Sequence, residues 1–381
     1  MKIVYCLNSI RGLGGIQRVT IVKANALAEI DGNEVYIVVS DNKNGSEVAK
    51  LSDKVHLVDL DINYYDGDRN RSKISNIIVY KRLRRKHRKV LEGFLSELKP
   101  DIVISVGGFE KYMLLSMKNR TWKVIREFHF ERNYRQKYSK TRFDRLIAAA
   151  SDFYDFHFKE KEYDKIILLT HEDKELNWKG WKSIEIIPNP VSFKCDNPSP
   201  LSEKVVVYAG RLDPIKNCCS LVNMFKIVVD RHPDWVLKLY GDGSERELIK
   251  HYILELGLTE KVLLMGFSKN ILDVYCHSSI TALSSRCEGF PMSLIEAVEC
   301  GVPIVSYQCP CGPRELINDG LDGFLVPVGN EEMMADRICA LIEDEEMRHR
   351  MGKAAKAKAK DYHLENIIRQ WMDLFNDLVK S

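Results

Sequence analysis

This sequence predicts two doubly wound, Rossmann-like α/β domains facing a central cleft, and three observations predict them. A chain of 381 residues is too long for one ordinary core and suits two domains of about 150 to 200 residues each. Short β-branched apolar runs alternate with amphipathic stretches along both halves. A proline-asparagine-proline break interrupts that alternation near the middle, after which it restarts.

In the first half the strand-like runs are 2–8, 34–40, 54–60, 101–106, 122–128 and 165–170. They are nearly continuous in apolar residues, as strands buried on both faces of a parallel sheet are. Between the first two lies IQRVTIVKANALAEI (16–30), with apolar residues at helical spacing. Pro188-Asn189-Pro190 can neither continue a strand nor open a helix, so this segment is a turn or hinge. KVVVYAG, WVLKLYG, KVLLMG, SITALS, PIVSY and FLVPV then follow as six further strands, and 363–379 reads as a closing amphipathic helix. The expected domains are 1–188 and 189–362, with 363–381 as a separate helical element. In such sheets ligands bind beyond the carboxyl ends of the strands.

Composition excludes several classes. Apolar and charged fractions are those of an ordinary globular protein. The net charge of +3 is too small to argue for nucleic acid, and no window of about 18 apolar residues would span a membrane. The start, MKIVYCLNSIRGLGG, has the charge and short apolar run of a signal peptide but leads into a glycine turn, so a first strand is expected. Ten cysteines are scattered; Cys218-Cys219 and Cys309-Pro310-Cys311 are the only close neighbours, and neither has zinc-site spacing. The expectation is reduced thiols in a cytoplasmic protein, mostly core residues, with no metal site.

Three segments carry chemistry. After the first strand, Gly12, Gly14 and Gly15 precede a helix, where backbone amides could approach a phosphate; a plain tight turn accounts for them as well. The second domain opens with Gly210-Arg211-Leu212-Asp213-Pro214-Ile215-Lys216, which puts two cations at a strand end. Arginine and lysine there could neutralise a leaving diphosphate without a metal ion. In Arg286-Cys287-Glu288-Gly289-Phe290-Pro291-Met292-Ser293-Leu294-Ile295-Glu296, Glu288 lies in a loop and Glu296 within the helix that Pro291 begins. Glu288 and the amides of 289–291 would face a reacting sugar, and Glu296 could reach a ribose.

Taken together, these segments resemble the family-four retaining glycosyltransferases of the GT-B superfamily. Glu288 and Glu296 match the E-x7-E element, Gly210, Arg211, Leu212 and Lys216 the G-R-L-x-x-x-K element, Ile187-Pro188-Asn189 the interdomain I-P-N, and Gly14-Gly15 the N-terminal double glycine. The resemblance spans most of the chain, strongest over 205–330 and weakest over 40–100. It implies a GT-B fold and transfer, with retention and without a metal, from a nucleotide sugar that serves as substrate, no other cofactor being needed. Arg211 and Lys216 would hold the diphosphate with the amides near Gly15. Glu296 would take the ribose. Gly289, Phe290, Pro291 and Leu294 would line the donor pocket, and Glu288, facing the donor sugar, and His129, ending its strand near the transferred sugar, would be the catalytic residues. The helix 363–381 would pack back on the first domain. Two departures stand out: Ile16-Gln17-Arg18 follows the glycines in place of x-E-R, and Cys309-Pro310-Cys311-Gly312-Pro313-Arg314-Glu315 replaces G-G-x-P-E. The latter form resembles bacterial members that build capsule and O-antigen polysaccharides, often from UDP-linked galactose or N-acetylgalactosamine; a glucose-type donor is the third expectation. The acceptor implied is a glycan, free or on a polyprenyl diphosphate.

The run 81–89 is rich in Lys and Arg. It reads as a solvated helix face or as a contact for an anionic membrane surface, worth about 1 kcal/mol per basic residue; no recognition module accompanies it, so no nucleic-acid partner is expected. Competing readings are a nicotinamide oxidoreductase using Asp41, a metal-dependent GT-A transferase using Asp59-Leu60-Asp61, a sugar-nucleotide epimerase of the same architecture, and a non-catalytic nucleotide-sugar-binding protein.

Overall fold

The computed structural model describes residues 1–12, 14–42, 49–64, 73–117, 120–132, 134–137, 139 and 141–380. They form two compact α/β units, each around its own parallel sheet. Unit 1 comprises Met1–Leu169, Asn177–Pro190 and Leu364–Ser381; unit 2 comprises Thr170–Leu176 and Val191–His363.

The sheet of unit 1 has seven strands: β1 (Lys2–Leu7), β2 (Glu34–Val39), β3 (Val55–Asp59), β4 (Ile102–Ser105), β5 (Lys123–Glu127), β6 (Lys165–Leu168) and β7 (Ile184–Ile186). Their order is β3-β2-β1-β4-β5-β6-β7, and every pairing is parallel. Strand order reverses between β1 and β4, the switch point of a doubly wound sheet. The central strands are buried on both faces, which is why they read as unbroken apolar runs. The sequence missed β7: three residues with an outward Glu185 give too short a pattern, and Pro188 ends it.

Unit 2 has six parallel strands: β8 (Val205–Ala209), β9 (Val236–Tyr240), β10 (Val262–Gly266), β11 (Ile280–Leu283), β12 (Ile304–Tyr307) and β13 (Gly323–Val326). Their order is β10-β9-β8-β11-β12-β13, with the reversal between β8 and β11. All six were expected, and the doubly wound α/β class is observed in both units.

Two helices that cover the same face of the first sheet complete the core of unit 1. The helix Gly15–Ala28 buries Val19, Ile21, Ala24 and Leu27. The helix Leu364–Lys380 buries Ile367, Ile368, Trp371, Leu374, Phe375 and Leu378 in the same cluster as Ile3, Tyr5, Ile37 and Ile104. Lys23 is almost completely buried between them, pairs with Glu127 at the end of β5, and holds its ammonium 4.7 Å from the Trp371 ring. A buried charge is tolerable only when paired in this way.

We expect Trp371→Ala to destabilise unit 1 by about 3–5 kcal/mol, the range for emptying a large aromatic site in a core. Thermal melts followed by tryptophan-independent circular dichroism should show one of two transitions shifted down.

Candidate functional site

In unit 2 the sequence-predicted residues gather at the carboxyl ends of β8 and β11, the two strands that flank the switch point. Arg211 and Lys216 follow β8, and Glu288 follows β11. Ser284 ties the two loops together: its hydroxyl donates to the carbonyls of Lys216 (2.9 Å) and Asn217 (3.0 Å). The Arg286 amide donates to the Ile215 carbonyl at 2.9 Å, and its guanidinium to the Asn217 side chain at 3.1 Å.

Lys216 reaches Glu288 directly. Its ammonium donates to both carboxylate oxygens, at 2.6 and 2.8 Å, and the Glu288 side chain is only 7% exposed. Asp213 organises the same loop. One oxygen accepts from the amides of Ile215 and Lys216, both at 3.2 Å, and the other pairs with Arg211 at 2.9 Å. The Arg211 side chain is 58% exposed, so its guanidinium is available to an anion at little cost in desolvation.

Close backbone approach sets the shape of these loops. Gly241, at the end of β9, has φ +132°, and a Cβ there would lie 1.8 Å from the Gly210 carbonyl oxygen. A Cβ on Gly243 would lie 2.3 Å from that of Leu212. The sequence reading missed both, although the signal, Gly241-Asp242-Gly243 at a strand end, is visible in YGDGSE. On the other side, Gly312 (φ +157°) would place a Cβ 2.7 Å from Pro291 and 3.1 Å from the Glu288 Cβ. The departing motif 309–315 therefore packs against the Glu288 loop. It also grips the short segment 170–176: the Cys311 amide donates to Glu172 at 2.9 Å, and Glu315 accepts from the His171 amide at 3.2 Å and meets its ring at 2.6 Å.

The remaining residues of this motif are placed differently from the expectation. Pro291 is the N-cap of the helix Met292–Glu299, one position before its first turn, and without an N–H it offers no amide to a ligand; Gly289 and Phe290 supply those of the loop. Phe290 is buried beside Tyr362, ring centroids 5.7 Å apart. Leu294 is fully buried, so its side chain belongs to the core of the unit rather than to a ligand pocket. Glu296 is buried too and accepts from the Ser192 hydroxyl at 3.0 Å. The two glutamates of the pair thus engage different partners.

In unit 1 the glycine segment follows β1, again beside the switch point. Gly14 is the N-cap of the helix Gly15–Ala28 in an extended conformation. The left-handed backbone is at Gly12, φ +109°, so the conformational demand for glycine falls there. His129 lies just past β5. Its side chain is 4% exposed, with Nε2 3.3 Å from Glu127. Burial drives its pKa down to about 4, against the pull of Glu127. Any role it has at neutral pH is that of a neutral imidazole. Asp59 and Asp61 lie at the end of the edge strand β3, away from the switch point, which weighs against a metal-binding D-x-D there.

A cavity of about 430 Å³ opens in unit 1 between the basic helix Lys73–Leu98 and the helix Arg142–Tyr154. Arg84, Lys111 and Arg135 line it with Tyr80 and Tyr112, and so do Asp144 and Asp155; Asp155 pairs with Lys111 at 3.1 Å and with Arg135 at 2.7 Å. The sequence reading did not find the second helix. Phe143 and Leu146 on it are each 70% exposed, and Ile147, Phe153 and Tyr154 are exposed beside them. Within the run 81–89 the basic side chains point outward, whereas His87 is buried on Tyr64 at 3.0 Å, its pKa lowered by burial to about 4.

Residues 193–358 match the family model described as glycosyl transferases group 1. Over 97% of its length the chain is 28% identical to an uncharacterized glycosyltransferase of Haemophilus influenzae, covering 98% of that protein. It is 25% identical over 99% of both chains to a Campylobacter jejuni α-1,4-N-acetyl-D-galactosaminyltransferase whose name specifies a diNAcBac-PP-undecaprenol-linked glycan. Among solved structures, TarM of S. aureus, crystallised with UDP, superposes with a TM-score of 0.78 at 16% identity, over 98% of this chain and 99% of that one; this likeness concerns the fold.

Two outcomes follow from this geometry. Gly241→Ala should cost about 3 kcal/mol or more, because a backbone carbonyl blocks the new methyl group. Gly320→Ala, at φ +78° with open space around it, should cost only about 1 kcal/mol; differential scanning calorimetry of both variants checks the contrast. Second, His87 and His129 hold folded-state pKa values of about 4, below the usual value near 6.5. The unfolded chain therefore binds their protons first as pH falls. Their contribution is complete above about pH 6.5 and is lost between there and about pH 4. The melting temperature of unit 1 should drop across that window, and more steeply than in His87→Asn.

Proposed function

With a group 1 glycosyltransferase domain at 193–358 as its premise, we propose that this protein is a retaining, metal-independent glycosyltransferase. It would move a sugar from a UDP-sugar, of galactose, N-acetylgalactosamine or glucose type, to a glycan or polyprenyl-diphosphate-linked glycan in bacterial surface-polysaccharide synthesis. The observation that carries the reading is the placement of Arg211, Lys216 and Glu288 together at the switch point of unit 2, where ligands of doubly wound sheets bind.

Bond cleavage at the anomeric carbon leaves positive charge on the sugar and negative charge on the departing diphosphate. Arg211 is exposed and forked, suited to clamp phosphate oxygens, and Lys216 supplies a second cation one loop turn away. Before the donor binds, Glu288 and Asp213 hold these cations in position, so little reorganisation is required when charge develops. Glu288, freed in part as Lys216 turns to phosphate, would accept hydrogen bonds from donor-sugar hydroxyls. The loop amides of Gly289 and Phe290 would add donors. His129, Gly14, Gly15 and Glu296 keep the roles that the resemblance gives them.

The acceptor reading draws on unit 1. Its basic helix stands next to a helix with exposed apolar side chains, and the cavity between them is lined by Arg84, Lys111 and Arg135 together with Asp144 and Asp155. This is the pairing expected of a surface that meets anionic lipid while admitting a diphosphate head group. No helix among the described residues is long and apolar enough to cross a membrane, so attachment here would be peripheral, on the cytoplasmic face. A sugar-nucleotide epimerase would turn over donor with no acceptor present, and a binding protein would take donor without turnover.

Thermal-shift titration with UDP- and GDP-sugars, without added metal, is the first test. The true donor at 100 times its Kd should stabilise the protein by about 2.7 kcal/mol, and Arg211→Ala and Lys216→Ala should lose most of that response. Glu288→Gln should lower turnover by about 100-fold or more with the fold intact. Activity should not depend on added Mg2+ or Mn2+; a requirement for either would overturn the metal-independent reading. Replacing Arg82, Arg85 and Lys89 with Glu should weaken sedimentation with anionic vesicles while leaving the donor-induced shift unchanged.

A further inference from the structure

Three thiols that lie far apart in the sequence meet in unit 2. Cys195 follows the start of the unit's main segment, Cys276 ends the helix Ile271–Cys276, and Cys300 caps the helix Met292–Glu299. Their sulfurs all lie within 4.8 Å of one another, with Cys195 and Cys276 3.8 Å apart. Two are buried and Cys276 is partly open to solvent. We infer that Cys195, Cys276 and Cys300 form a thiolate site for one thiophilic divalent cation of the zinc class.

Geometry supports this first. Four-coordinate zinc with Zn–S bonds of about 2.3 Å holds its sulfurs about 3.8 Å apart, the separation already found for Cys195 and Cys276. The third sulfur needs to move by no more than about 1 Å. The Asn197 carbonyl, 3.2 Å from the Cys195 sulfur and 3.6 Å from that of Cys276, is an oxygen donor at the same place. Water entering beside Cys276 is the other source of a fourth ligand.

The surroundings favour a cation over a free thiolate. Cys276 and Cys300 both stand at helix C-termini, where the backbone carries partial negative charge. The buried Glu299 carboxylate accepts from the Cys195 amide at 2.8 Å and is shared with Lys356 and His363. Reactive redox cysteines sit at helix N-termini or near cations; here two of the thiols stand at helix C-termini, and Lys356, which donates to the Cys195 carbonyl at 2.8 Å, is already paired with Glu299 at 2.7 Å. A bound cation can displace the protons of such thiols. Each sulfur releases one proton to solvent, three per cation, so affinity rises with pH.

Such an ion would tie the C-terminal end of the helix that carries Glu296 to the segment that opens the unit's main portion. It would be structural, and its preference for sulfur separates it from any effect of Mg2+ or Mn2+ on turnover.

The test uses the full chain, reduced and stripped of metal, titrated with Cd2+. Thiolate-to-cadmium charge-transfer absorption should saturate at one Cd2+ per chain, with a rise in melting temperature. Cys276→Ser should abolish both effects, and Cys219→Ser, which removes a partly exposed thiol elsewhere, should keep both. Cadmium-113 NMR of the wild type counts the sulfurs without relying on any variant and should give one resonance in the three-thiolate range. Absence of the absorption in the wild type, its persistence in Cys276→Ser, or a resonance from fewer than three sulfurs would overturn the inference. So would formation of a Cys195–Cys276 disulfide under mild oxidation with no cadmium binding when reduced.

Discussion

The bidentate contact between Lys216 and Glu288 is the constraint on which the rest of the second unit's site depends. It joins loops from the two strands on either side of the sheet's reversal, and it keeps a cation and a carboxylate in a largely dry place. A carboxylate so buried would be costly without that partner. Every nearby feature serves to hold this arrangement: the Asp213 turn beneath Lys216, the Ser284 hydroxyl bridging two carbonyls, and the glycines that let neighbouring loops touch backbone to backbone. On the proposed reading, a donor diphosphate would compete with Glu288 for the same ammonium. Binding of an anion would therefore be linked to the release of Glu288 toward a second ligand group.

Unit 1 solves a related problem by different means. Its interior holds Lys23, Glu127, Arg126 and Glu110, all buried. Arg126 donates to Ser105 at 2.9 Å, and Glu110 accepts from that hydroxyl at 2.9 Å and from the Gly108 amide at 3.1 Å. These polar chains end at the carboxyl edges of β4 and β5, close to the reversal between β1 and β4. This sheet end is rich in buried charge but not fully satisfied: the Arg126 Nε and one Glu127 carboxylate oxygen have no hydrogen-bond partner among the described residues. His129 sits beside this network, and burial keeps it neutral against the pull of Glu127.

Much of this was legible in the sequence, and the parts that were not have physical reasons. Twelve strands could be read because parallel strands with both faces covered leave an unbroken apolar signature; β7 could not, being three residues with a charged one at its centre. Arg211, Lys216 and Glu288 could be expected near one another because each lies in a loop after a strand beside the sheet's reversal, and Lys216 and Glu288 are in contact there. That the Leu294 side chain is buried could not be read from its sequence proximity to the motif, because that proximity does not say which way a helical side chain points. The roles of Gly241 and Gly243 depend on a neighbouring loop from β8, so only the fold reveals them. The three cysteines illustrate the limit most plainly: Cys195 and Cys276 are 81 positions apart, and no local pattern links them. The helix Arg142–Tyr154 was missed for the opposite reason, since its exposed Phe143, Leu146, Ile147 and Phe153 resemble core residues until burial is known.

Unit 1 is assembled from pieces on both sides of unit 2. Trp371, Phe375 and their neighbours fill the same core as β1 and β2, yet roughly 170 residues of another unit separate them from the Pro188–Pro190 segment. On a ribosome, chains are released from one end to the other, so the long continuous portion of unit 2 emerges and can collapse while the first sheet still has an uncovered apolar face. That face must stay exposed, or be shielded by a chaperone, until the helix Leu364–Lys380 has been made. The protein that begins first is thus the part that finishes last.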